Sequence, residues 1–110
     1  MPYIARKDRE ALDPTIELLA RQIAAISRGY VYDGAFAGIL NYTCTTLAMR
    51  VARELFGKMR YWVIAIVTGT FKNIADEFYR RVASPYEDKQ IAKSGDVGEY
   101  QELSEEIGLL

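Results

Sequence analysis

Apolar positions recur along this chain with a helical period. Ile16, Leu19, Ile23 and Ile26 share one face, with Glu17 and Arg21 as an i,i+4 pair on another. Asp13 and Pro14 supply a cap and a proline suited to the first helical position. The pattern therefore predicts a helix over about 13–28 that stops at Gly29. Tyr3 to Leu12 carries no clear period and fits an extended start followed by a short helical turn. After a connector, Tyr30 to Gly34 with Asp33 as the cap, a second helix is predicted over about 34–56. Its apolar side is Phe36, Leu40, Leu47, Val51 and Leu55, and Gly57 caps its C-terminus. Thr43, Thr45 and Thr46 are poor helix formers, so packing must hold that segment.

A third helix is predicted over about 61–84. Val63, Val67, Phe71, Ile74, Phe78 and Val82 hold the helical phase throughout. Trp, Val, Ile and Thr favour strands, which makes a β-strand the rival for Tyr61 to Thr70. The unbroken phase into Asn73 to Val82 decides for helix. Ser84-Pro85-Tyr86-Glu87 then reads as a capping box that opens a new helix over about 85–94. The competing reading is one kinked helix running through Pro85. Gly95 and Asp96 mark the end, and acidic Glu99 to Ile107 forms a last short helix or frays. The fold class is all-α, a small helical bundle of three to four main helices in a single domain of 110 residues. Segments 1–10 and 98–110 are where extended or frayed chain is expected.

Composition narrows the chemistry. The chain is 50% hydrophobic and carries 14 basic against 15 acidic residues, so it lacks the basic excess of a nucleic-acid binder. Histidine is absent, which removes the commonest general base and zinc ligand together, along with Ser-His-Asp catalysis. The single cysteine, Cys44, excludes an intrachain disulfide and reads as a small buried apolar side chain. The first ten residues lack the apolar run of a signal peptide. The longest apolar stretch, Tyr61 to Val67, is far short of the roughly 20 residues of a membrane span. A cytoplasmic protein with no membrane partner, no metal and no cofactor is expected.

The densest stretch is Glu77 to Asp88. Its pattern Glu77-Phe78-Tyr79-Arg80-Arg81-Val82, then Pro85-Tyr86-Glu87-Asp88-Lys89, then Gly95-Asp96-Val97, resembles a family of small uncharacterised proteins common in tailed-phage and prophage genomes. Gly38, Leu40-Asn41-Tyr42, Gly69, Pro2-Tyr3-Ile4 and Asp8-Arg9-Glu10 fit the same pattern. The chain departs from it at Ile39, where similar sequences carry an acid, and at Gly98, where they carry an aromatic residue. The resemblance implies a helical fold and a phage or bacterial setting, and supplies no mechanism.

The candidate binding residues are Asn41, Tyr42, Glu77, Tyr79, Arg80, Arg81, Tyr86, Glu87 and Asp88. Asp76 to Arg80 and Glu77 to Arg81 are i,i+4 pairs with the acid N-terminal, the better orientation. Freed from those pairs, the arginines form a fork for phosphate, carboxylate or a protein. Glu87 and Asp88 are acids in a helix's first turn, favoured there by the macrodipole. The alternative is a carboxylate pair holding magnesium, for which two adjacent acids alone are weak evidence. Asn41 needs partners if buried, with Glu77 or Tyr79 as candidates. Gly38 and Gly69, costly inside helices, read as points where another helix backbone comes close.

Three functions compete. The first is a helical protein-interaction or accessory module of phage type, acting as a homo-oligomer, a dimer or higher, with a possible protein partner. The second is an all-α magnesium-dependent nucleotide pyrophosphohydrolase, which needs acids spaced i,i+3 on paired helices. Glu54 and the adjacent Asp76 and Glu77 do not supply them. The third is a nucleic-acid module using Lys72, Arg80, Arg81 and Lys89, against which net charge argues.

Overall fold

The structure is a computed structural model and describes residues 2–110. All its regular elements are helical: α1 (Arg6–Arg28), α2 (Ala35–Phe56), α3 (Tyr61–Phe78), a π-helical turn (Tyr79–Ala83), α4 (Ser84–Ser94) and α5 (Gly98–Leu109). No strand occurs among the described residues, so the helical reading of Tyr61 to Thr70 holds. The all-α bundle class is thereby established.

Helix α1 starts seven residues before the expected position. Pro14 lies inside it, and Asp13 is a helical residue instead of a cap. An interior proline removes one i→i−4 bond and costs on the order of 3 kcal/mol. The apolar phase explains why the helix continues upstream, because Leu12 already belongs with Ile16, Leu19, Ile23 and Ile26. At the start of α2, Gly34 occupies the cap position and no side chain caps the helix, so Asp33 does not play the expected part. Gly57 ends α2 at φ 69° and Gly95 ends α4 at φ 87°, left-handed values that favour glycine.

Nothing breaks the chain at Ser84. Its φ and ψ of −63° and −48° are helical, and its side chain makes no cap bond. The expected capping box is replaced by the π turn, in which the Ser84 N–H donates to the Tyr79 carbonyl five residues back. The physical reason is Pro85. In an unbroken α-helix its ring would clash with the Arg81 carbonyl, and a wider turn just before it relieves that clash. Helical backbone thus runs from Tyr61 to Ser94, as the kinked reading required.

The chain divides into two compact units, Met1–Thr70 and Phe71–Leu110. In the first, α1 and α2 pack together as a hairpin. Phe56 and Trp62 meet edge to face at 4.9 Å, and Ala52 and Val63 are buried. In the second, α4 packs against the π turn, and no residue is fully buried. Only Ala52 and Val63 form a core among the described residues, fewer than a chain with 50% hydrophobic residues can supply. Two packed helices cannot enclose a side chain that lies along their seam, because one side of the seam stays open.

Candidate functional site

The π turn sets the geometry of the polar cluster. One extra residue per turn makes an offset of eight act like an offset of seven, which is two turns and the same face. Tyr79 and Glu87 are so placed, and the Tyr79 hydroxyl donates to Glu87 Oε2 at 2.9 Å. That hydrogen bond, then the Glu87 charge, raises the Tyr79 phenol above its ordinary 10.0, with smaller contributions from desolvation, Asp88 and Tyr100. Glu87 therefore reaches back to Tyr79, not to a cap at Ser84.

One turn earlier, Arg80 forks onto Glu77. Nη2 donates to Oε1 at 2.7 Å and Nε to Oε2 at 3.4 Å. The expected pairs, Asp76 with Arg80 and Glu77 with Arg81, give way to this i,i+3 pair. Glu77 is the better partner because its side chain is only 23% exposed, so solvent screens its charge less than that of exposed Asp76. Arg81, Tyr86 and Asp88 lie exposed on the same stretch. Among the described residues no three of Cys, Asp and Glu gather as a metal site would require.

Asn41 and Tyr42 belong to the other unit. Both are exposed, and Asn41 Oδ1 accepts from Thr45 Oγ1 of its own helix at 3.5 Å. That bond lies within α2, where a bond across a helix interface to Glu77 or Tyr79 was expected. Exposure also removes the premise, since water can serve an exposed amide. Among the described residues Gly38 and Gly69 are likewise not points of close approach, because a Cβ added at either meets nothing within 4 Å. Cys44 is exposed, contrary to the buried reading.

Cys44 opens onto a feature the sequence reading did not single out. The α1–α2 hairpin carries a groove of about 620 Å³, walled by Ile16, Leu19 and Ile23 from α1 and Phe36, Leu40 and Leu47 from α2. The signal was present in the spacing. Residues 12, 16, 19, 23 and 26, and again 36, 40, 43 and 47, alternate steps of four and three, the spacing of a coiled-coil seam. Its hydroxyls are satisfied locally. Ser27 Oγ donates to the Ile23 carbonyl at 2.7 Å and Thr43 Oγ1 to the Ile39 carbonyl at 2.8 Å.

The helical fold and this pair of surfaces define a small all-α protein. The chain belongs to the family described as a domain of unknown function (DUF6899), whose model matches residues 1–97. The matched span contains the groove, the π turn and α4, and ends just before α5. No curated protein and no solved structure matches the chain. No helix among the described residues is long and apolar enough to cross a membrane.

Proposed function

We propose that the protein is a helical interaction module that works as a homo-oligomer. One observation carries this reading: the chain leaves most of its apolar side chains open. It exposes 9936 Å². Two separately folded bodies of the lengths of its two units would together expose about 7400 Å². The excess of about 2500 Å² exceeds the roughly 800 Å² per partner of a standard protein interface, and it matches the larger obligate class. The second unit, with no buried residue, is also near the length below which domains need help from a partner.

The exposed tyrosines and arginines at Tyr79, Arg80, Arg81 and Tyr86, with Glu87 and Asp88 beside them, suit recognition of a protein partner, since aromatic and Arg residues dominate binding hot spots. Asn41 and Tyr42 offer a second such patch. The motif resemblance supports a phage or prophage accessory role. The free thiol of Cys44 fits a reducing setting such as the cytoplasm.

Sedimentation velocity on the full chain across a hundredfold concentration range tests the reading. A dimer or larger species, with a melting temperature that rises with concentration, is expected. A monomer with full helical circular dichroism over that whole range would overturn it.

A further inference from the structure

We infer that the open face of the α1–α2 hairpin is the self-association seam: two copies set groove against groove and close a four-helix bundle about a two-fold axis. The inference rests on the homo-oligomer reading and assigns its surface.

Three features of the groove point to this occupant. First, its wall is the inner face of half a bundle. Helices α1 and α2 have 23 and 22 residues, matched at about 33–35 Å, and are joined by a six-residue connector. Each carries the alternating steps of four and three that supply a bundle's core positions. Ile16, Phe36, Leu40 and Leu47 are 57%, 53%, 45% and 53% exposed, so about half of each side chain is still to be covered.

Second, the groove asks for an apolar partner. Ser27 and Thr43 have already spent their hydroxyl protons on carbonyls one turn back. A polar ligand would find one charged group, Arg28 beside the α1 terminus, and otherwise only the weakly polar oxygens of Ser27 and Thr43 and the Cys44 thiol. Third, a second copy brings a surface of the same length and the same repeat, and an isologous contact covers both grooves at once. A net charge of −1 sets up little repulsion between copies. The open area of the chain is ample for one such interface.

Cys44 is a built-in reporter, because it lines the groove and is the only thiol in the chain. The experiment combines sedimentation velocity with the rate of Cys44 modification by a chromogenic disulfide, on the wild type and two variants of the full chain. The wild type is expected to be dimeric, with Cys44 reacting at least tenfold more slowly than in the guanidinium-unfolded chain. Leu40→Glu is expected to sediment as a monomer with a fast thiol. Ile74→Glu, on α3 and outside the groove, is expected to stay dimeric with a slow thiol. An oligomeric wild type whose Cys44 reacts as fast as the unfolded chain overturns this seam and leaves the homo-oligomer reading standing. Loss of the dimer in Ile74→Glu overturns the groove-on-groove pairing in the same way. A monomeric wild type overturns both. Should Leu40→Glu fail to fold, the wild-type thiol rate and the Ile74→Glu state still decide.

Discussion

Tyr79 and Glu87, eight residues apart, are joined by a 2.9 Å hydrogen bond across a π turn. In a regular α-helix an offset of eight would set the two side chains about 80° apart around the axis. The bond therefore reports the extra residue in the turn as directly as the backbone does. It also holds the π turn to the first turn of α4.

Its signature is a tyrosine that ionises late. The folded chain keeps the Tyr79 proton at pH values where ordinary phenols, near 10.0, release theirs. Because the folded value is raised, the stabilisation is complete below pH ~10 and is lost as pH climbs through the raised value. Absorbance titration at 295 nm should show one late phenol that disappears in Tyr79→Phe and moves back toward ordinary behaviour in Glu87→Gln. An identical titration curve for wild type and Glu87→Gln would refute the contact.

Pro14 sits nine residues into α1, where it costs helical stability. Pro14→Ala should raise stability by up to about 3 kcal/mol, read as a higher midpoint in urea unfolding at fixed protein concentration. An unchanged or lower midpoint would place the helix start at Asp13 after all.

Val63 is 2% exposed and Ala52 5%. Val63→Ala should cost about 1–3 kcal/mol through lost burial and the space left behind. Ala52→Leu should cost a similar amount by overpacking. The same changes at exposed Val31 and Ala37 should move the urea midpoint little.

Gly38 lies two residues beyond Phe36, about 200° around α2 and so away from the groove. A methyl group there meets nothing within 4 Å. Gly38→Ala should stabilise the protein by about 0.5–1 kcal/mol and leave its oligomeric state unchanged. A shift to monomer in sedimentation would move the association surface to the back of α2.

Local rules carried the fold far. The stops at Gly57 and Gly95 follow from a conformation that glycine alone adopts easily, and the phase from Val63 to Phe78 follows from one unbroken period. Legibility failed where two local rules competed. Asp13-Pro14 and Ser84-Pro85-Tyr86-Glu87 both look like helix starts, yet in each case helical backbone continues through. A strong apolar phase outweighed the first, and a π turn absorbed the second. The candidate site was less legible. The dense stretch Glu77 to Asp88 marked Tyr79, Arg80 and Glu87 as candidates, but the Tyr79–Glu87 pairing depends on a register shift that i,i+4 counting does not contain, and Arg80 pairs at i,i+3 instead. Cys44 was misread for another reason, because it sits on an apolar seam that α1 and α2 leave open. An apolar helix face read from the sequence does not say whether its own chain covers it.

That last point bears on gene dosage. With only Ala52 and Val63 enclosed among the described residues, a lone chain holds little of the burial that opposes its own chain entropy. If a second copy completes the core, the folded fraction becomes a function of how many copies a cell holds. At low supply most chains would be open to proteases, and above a threshold they would persist. Such a protein carries a minimum working abundance in its architecture, with no separate regulator needed to impose one.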